Sequence, residues 1–257
     1  MPQKLDHYLQ FALQTAHEAG RLTLAHFQTG IQAEYKGDDS PVTIADQKAE
    51  ELIRQRIGKA YPEHAIVGEE FGSNPGNDKS HCWYIDPIDG TKAFIRGVPL
   101  YGVLLGLEIE GKIEVGVVYF PALNEMVYAA SGQGTYWNGQ LTRVINTERL
   151  DRSMVGCTDS HSFEMTGRGQ VWQRLQERTY YRAGWSDAYG HALVATGRLE
   201  VMLDARMHPW DCAPFPVILR EAGGYFGDWA GNETHHCKEA ISTTKKLLPE
   251  ILRIINP

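Results

Sequence analysis

Apolar positions recur at near-helical spacing from residue 5 to 27, at Leu5, Leu9, Ala12, Leu13, Ala16, Ala19 and Gly20, and predict an amphipathic helix. The polar, breaker-rich stretch Lys36 to Thr43 reads as a loop. A second helix should open at Ile44 or Ala45, with Ala45, Ala49, Leu52, Ile53 and Ile57 on one stripe. Ala65-Ile66-Val67 is a short strand running into Gly68-Glu69-Glu70, and the glycine- and proline-rich segment from Gly72 to Ser80 reads as a further loop. Strand-like runs follow. Tyr101 to Ile109 and Lys112 to Phe120 flank Glu110-Gly111, a hairpin signal, and Glu125 to Ala130 follows the turn Pro121 to Asn124. Asn138-Gly139 marks another turn. These runs predict an antiparallel-rich sheet covered by the two N-terminal helices. Near residue 148 the pattern changes to short apolar strands alternating with helical stretches: 155–157, 168–177, 180–182, 187–196, 201–203 and 213–222. That alternation predicts a smaller α/β domain. The chain therefore divides into an N-terminal α+β domain, 1–148, and a C-terminal α/β domain, 149–257.

The most informative stretch is Trp83 to Phe94. Apolar residues run up to Asp86, Pro87 should stop ladder pairing, and Asp89-Gly90-Thr91 can start a helix. Asp86 and Asp89, three residues apart across a sharp turn, can face one point together with the Ile88 carbonyl. Hard oxygen ligands of this kind suit Mg²⁺. The amides of Gly90 and Thr91, at a helix start, would offer partial positive charge to a phosphate oxygen at the same point. Asp-Pro and Asp-Gly are also common turn dipeptides, so the spacing alone leaves a plain turn open. Asp46 sits in the first turn of the second helix, as a cap would.

Composition narrows the classes. A chain of 257 residues with 42% apolar and 22% charged positions reads as a globular protein with a sizeable core. Its 25 basic and 32 acidic residues give a net charge of −7, which argues against a nucleic-acid surface. No signal-like or membrane-length apolar run is visible, so a cytoplasmic protein without membrane contact is expected. The cysteines Cys82, Cys157, Cys212 and Cys237 form no CxxC pair and read as reduced thiols. His7, His17 and His26 read as solvated. His235-His236-Cys237, beside Gly231 to Thr234, reads as a surface turn in preference to a zinc site.

The string Asp86-Pro87-Ile88-Asp89-Gly90-Thr91 resembles the signature of the inositol monophosphatase family. Gly68-Glu69-Glu70, Trp210-Asp211 and Glu221-Ala222-Gly223-Gly224 follow in family order, so the resemblance covers nearly the whole chain. It implies a layered αβαβα sandwich of the inositol monophosphatase and fructose-bisphosphatase type, α/β in class. It further implies metal ligands at Glu69, Asp86, Asp89 and Asp211, a catalytic role for Asp46, and a homodimer. Glu70 should face outward. Four carboxylates in one cleft, each pair about 5 Å apart, repel by roughly 3 kcal/mol at an effective dielectric near 20, so two or three Mg²⁺ ions are expected among them.

The expected chemistry is hydrolysis of a small phosphomonoester by water activated at Mg²⁺, with Thr91 and Asp46 taking its proton and no covalent phosphoenzyme. Lys92 and the segment Phe94 to Gly102 look most like histidinol-phosphate phosphatases. Trp185, Asp187, Tyr189 and Asp204 fall where the family meets its leaving group. Two carboxylates and two rings suit an ammonium and an imidazole. Arg96 is a further substrate candidate, with a structural ion pair as the alternative. Inositol monophosphate, nucleotide 3′-phosphates and a non-catalytic binding module remain as competing readings.

Overall fold

A computed structural model describes residues 5–37, 40–185 and 187–256. Helix α1 (Asp6–His26) forms as the periodicity predicts and buries Leu9, Ala12, Ala16 and Ala19. Strands β1 (Glu34–Tyr35) and β2 (Pro41–Val42) pair antiparallel, so the expected loop is in part a short ladder. Asp38 and Asp39 lie outside the described residues. Helix α2 (Ile44–Ala60) opens on Thr43, whose side chain and the Asp46 side chain cap it reciprocally.

Strand β3 (His64–Gly68) pairs antiparallel with β4 (Gly72–Asn74) and parallel with β5 (Asp78–Asp89). The expected loop from Gly72 to Ser80 is therefore mostly strand. All three β4 residues are exposed at the sheet edge, so no apolar alternation announced it. Pro87 also does not end β5. The ladder to β6 (Gly102–Ile109) shifts register between Asp86 and Asp89, and that irregularity accommodates a residue with no amide hydrogen. Helix α3 (Thr91–Ile95) follows at once. Strands β7 (Lys112–Phe120), β8 (Glu125–Ala130), β9 (Thr135–Trp137) and β10 (Gln140–Thr142) extend the sheet to eight strands in the order β10-β9-β8-β7-β6-β5-β3-β4. The predicted hairpin turns through Glu110 and Gly111, both at positive φ.

The C-terminal half contains β11 (Met154–Gly156), α4 (Ser160–Met165), α5 (Gly169–Arg178), β12 (Tyr181–Ala183), α6 (Asp187–Ala195) and β13 (Val201–Asp204). It continues with α7 (Pro209–Cys212), α8 (Phe215–Glu221), β14 (Gly224–Gly227), β15 (Ala240–Thr244) and α9 (Leu248–Ile255). The helix expected over 213–222 forms as α8, which opens just after Pro214, and the short α7 precedes it as a separate turn. The five-stranded sheet runs β12-β11-β13-β15-β14, parallel at β12-β11-β13 and antiparallel beyond.

The apolar clusters define five layers, as the resemblance implied. Ala12, Ala16 and Ile53 of α1 and α2 pack on Trp83, Ile85, Val103 and Val117 of the large sheet. The opposite face, through Leu104, Val118 and Phe120, meets Ala192, Phe215 and Ile218 of α6 and α8, which in turn cover Met202 and Phe226 of the small sheet. Val201, Leu203 and Ile241 on that sheet's far side pack under Phe163, Leu175 and Ile251 of α4, α5 and α9. No helix of the described residues is long and apolar enough to cross a membrane.

Two glycines set the distance between the large sheet and the central helices. A Cβ on Gly116 would lie 2.2 Å from the Pro214 carbonyl oxygen, and one on Gly106 2.7 Å from the Ala213 Cβ. Backbone cannot yield as a side chain can, so Gly116→Ala should lower unfolding free energy by about 1–3 kcal/mol in urea titrations. Gly58→Ala, exposed in α2 with nothing within 4 Å, should instead stabilise by roughly 0.5–1 kcal/mol. Equal effects at the two positions would refute the packing argument.

Candidate metal and phosphate site

Asp86 and Asp89 are carried to one place by the irregular end of β5, and Asp211 reaches the same place from the first turn of α7. One carboxylate oxygen from each lies within 4.8 Å of the other two. The local chain fixes each side chain. Asp86 Oδ1 accepts the Ile88 amide at 3.0 Å. Asp89 Oδ2 accepts the Ala188 amide at 2.7 Å, which ties the end of β5 to the start of α6. Asp211 Oδ2 accepts the His208 amide at 2.8 Å and so caps its own short helix.

Burial and mutual repulsion are the electrostatic signature of the cluster. Asp86 and Asp89 are 2% and 8% exposed. Desolvation pushes both carboxyls well above the usual range, and the charges of Glu69, Asp187 and Asp211 add to it. Burial pushes Asp211 up to about 7, and its carboxyl shares a hydrogen bond with Asp86. Buried oxygen donors that resist ionisation without a counterion are the donor set a hard divalent cation satisfies.

Glu69 stands next to this cluster, at the C-terminal end of β3, where its amide continues the ladder by donating to the Ile85 carbonyl at 3.2 Å. It is not within the three-aspartate group. Its Oε1 takes Lys36 Nζ at 2.8 Å, and the same ammonium holds Glu70 at 2.9 Å. Glu70 was expected to face outward, yet its side chain is 5% exposed and burial pushes it up to about 7. The cause is Glu50, a buried α2 carboxylate that accepts the amides of Glu70 and Phe71 and thereby turns the Gly68-Glu69-Glu70 corner inward. Neither Lys36 nor Glu50 was singled out from sequence. A glutamate within an otherwise apolar helical stripe, at Glu50, was the available signal.

Asp46 and Thr91 come together as expected. Thr91 Oγ1 lies 3.3 Å from Asp46 Oδ1 and 3.1 Å from the Ile88 carbonyl. Asp46 Oδ2 accepts both the amide and the hydroxyl of Thr43, at 2.8 and 2.5 Å. Desolvation outweighs those bonds and pushes Asp46 up to about 6, where a carboxylate can take a proton near neutral pH. Gly90, at φ 80°, presents the chain between Asp89 and Thr91 and leaves room for Asp187, whose Oδ2 would stand 3.0 Å from a Cβ placed there.

The leaving-group candidates divide. Asp187 lies beside Gly90, at φ 54°, with its amide donating to Thr158 Oγ1 at 2.7 Å. Asp204 lies behind it: it is 3% exposed, accepts the Thr158 amide at 2.8 Å, and sits 3.2 Å from His191 Nε2. Asp204 thus touches Thr158, which in turn supports Asp187. Tyr189 packs edge-on against Phe120 at 5.0 Å, and Trp185 rests on the central core with its ring 6.5 Å from Tyr181. Arg96 is exposed just beyond α3. Ser186 lies outside the described residues.

The profile of the inositol monophosphatase family matches residues 4–256. A histidinol-phosphatase of Chlorobaculum parvum is 44% identical over 88% of this chain and 87% of its own. The Nus factor SuhB of Escherichia coli is 34% identical over 88% of this chain and 87% of its own. Among solved structures, the extragenic suppressor protein suhB of Bartonella henselae superposes with a TM-score of 0.91 at 27% identity, covering 98% of this chain and 99% of that one. An IMPase of Thermotoga maritima gives 0.88 at 30% identity over 97% of each chain.

The raised carboxyls set the sign of a pH dependence. A group whose folded pKa exceeds its unfolded value stabilises below the unfolded value and loses that stabilisation as pH rises through the folded one. For Asp211 the window runs from 3.8 to about 7. In EDTA, the urea midpoint should therefore fall as pH rises from about 4 to 7, and saturating Mg²⁺ should flatten the fall. Asp86→Asn keeps the oxygen that accepts the Ile88 amide and removes one charge. It should raise metal-free stability at pH 7.5 by about 1–3 kcal/mol. A lower midpoint would contradict the repulsion.

Proposed function

The chain belongs to the inositol monophosphatase family, and on that footing we propose that it is a Mg²⁺-dependent phosphatase of histidinol phosphate, acting in the cytoplasm. The observation that carries the substrate is the 44% identity to a protein named histidinol-phosphatase, ten points above the SuhB proteins of Escherichia coli, 44 − 34 = 10. The Asp187 carboxylate beside Gly90 supports it, since histidinol phosphate brings an ammonium to that side of the phosphate.

Asp86, Asp89 and Asp211, with Glu69 and the Ile88 carbonyl, are the residues that would hold Mg²⁺; their buried, charge-crowded oxygens fit a hard cation. When bound, two or three such ions supply Lewis acidity toward the phosphate and lower the pKa of the attacking water. The chain's own residues do the rest. Thr91 Oγ1 receives a proton from that water and relays it to Asp46 Oδ1, while the two Thr43 bonds hold Asp46 in line. The amides of Gly90 and Thr91 face the phosphate oxygens at the start of α3. Asp187 pairs with the substrate ammonium and Trp185 offers its ring to the imidazole, while Tyr189 is committed to packing on Phe120. Asp204 acts through Thr158. Arg96 is placed at the outer rim.

A second reading is an inositol monophosphatase of broad specificity. It is favoured by the 33% identity to the inositol-1-monophosphatase of Mesorhizobium japonicum.

Phosphate release from histidinol phosphate and inositol 1-phosphate, each with Mg²⁺ and with EDTA, separates the two. Metal-dependent release with kcat/KM about a hundredfold higher for histidinol phosphate, about 2.7 kcal/mol, is expected. Comparable values would leave the phosphatase chemistry standing and remove the substrate assignment. Thr91→Ala and Asp46→Asn should each lower kcat by about 10²–10⁴. Asp187→Asn should raise KM for histidinol phosphate about tenfold or more and leave KM for inositol 1-phosphate within about threefold. Equal losses on both substrates would place Asp187 in the general chemistry instead.

A further inference from the structure

His235 is almost wholly buried, yet no neighbour is aligned to hydrogen-bond its Nε2, a condition shared among the described residues only by Trp137 Nε1. Glu108 Oε2 lies 3.1 Å from that nitrogen and 3.7 Å from His236 Nε2. The turn that precedes β15 creates this pairing. Thr234 Oγ1 accepts the His236 amide at 3.0 Å and the Thr234 carbonyl faces Cys237 Sγ at 3.8 Å. Both imidazoles consequently fall on the same side, with centroids 3.9 Å apart and the face of the large sheet beneath them at Tyr84. The Tyr84 hydroxyl reaches the same Glu108 oxygen at 3.4 Å.

We propose that Glu108, His235 and His236 form a second divalent-metal site, of the zinc class, distinct from the aspartate cluster. Zinc bonds of about 2.0–2.1 Å at tetrahedral angles put ligand atoms about 3.3–3.4 Å apart, between the two separations observed. Two imidazoles and one carboxylate are a zinc donor set, and the exposed ring of His236 leaves the fourth position to water. Tyr84 bonds the carboxylate from outside, as outer partners of metal ligands do. Cys237, the neighbouring soft donor in sequence, turns away to lie 3.6 Å from Cys212 Sγ. Glu108 pairs across the ladder with Cys82, four residues and about 13 Å along β5 from Asp86. A comparable group at His64, Asp78 and His81 is already satisfied: Trp83 Nε1 donates to His64, and Asp78 and Tyr8 hold His81. The site would clamp the 231–239 loop onto the sheet. That loop holds the segment before α7 through the Met207 amide and the Lys238 carbonyl.

Zn²⁺ titration of the purified full chain in excess Mg²⁺, with bound metal counted by mass spectrometry of the dialysed protein, tests this. Wild type should retain one equivalent more than His236→Ala and than Glu108→Gln, and that equivalent should survive Asp86→Asn. Affinity should fall by more than the roughly 10–100-fold that loss of an outer-shell partner costs. Co²⁺ in place of Zn²⁺ should give visible tetrahedral absorption in wild type and lose it in both variants. Equal metal content and unchanged Co²⁺ spectra across wild type, His236→Ala and Glu108→Gln would overturn the site. Loss of the extra equivalent in Asp86→Asn would assign it to the aspartate cluster.

Discussion

Three aspartates held near one point, two of them almost fully buried, are the constraint on which the rest of this structure turns. Carboxylates so placed repel one another and forfeit hydration, so the arrangement persists only because the surrounding backbone leaves them no alternative. Each is pinned by a main-chain amide: Ile88 for Asp86, Ala188 for Asp89, His208 for Asp211. The amides come from a strand end, a helix start and a one-turn helix. The site is thereby built from the end of the large sheet and the helices packed against it, and its cost in the metal-free chain is a repulsion that a bound cation would relieve.

The same logic orders the surrounding shell. Glu50, buried in α2, takes the Glu70 and Phe71 amides and fixes the corner that carries Glu69. Thr43 caps α2 and also locks Asp46, so the helix cap and the carboxylate that faces Thr91 are held by one residue pair. Thr158 joins Asp204 to Asp187 and carries the order of the small sheet to the mouth of the site. In each case a buried polar group is satisfied by the group it positions, which is how a polar cluster stays rigid inside an apolar sandwich.

The five-layer packing supplies that rigidity. The central helices lie between two sheets and are buried on both sides, and Gly106 and Gly116 allow them to approach the large sheet at backbone contact. Asp211 rides on α7, at the start of this central layer, while Asp86 and Asp89 end the strand that α7 packs against. The distance between the carboxylates is therefore set by sheet-to-helix packing.

Much of this was legible in the chain itself. The periodicity of α1 and α2, the β6-β7 hairpin through Glu110-Gly111, and the polar string after an apolar strand at Asp86 to Thr91 are local patterns, and local patterns survive in sequence because propensity and burial agree there. The αβαβα class followed from the motifs in their order. Folding decided what depends on partners remote in sequence. Edge strand β4 has no apolar face to announce it, and β5 passes Pro87 because an irregular register absorbs the missing donor. Glu70 turns inward because Glu50 holds its amide, and Asp204 is occupied by Thr158 and His191. The two imidazoles at 235 and 236 meet Glu108 only once β6 and the loop before β15 are packed together. The sequence by itself determined the local frames, strand end, helix start and helix cap, in which the candidate residues stand. Only the tertiary structure decided which of their polar atoms are already bonded and which remain to bind something else, because hydrogen-bond and charge partners are chosen by proximity in space.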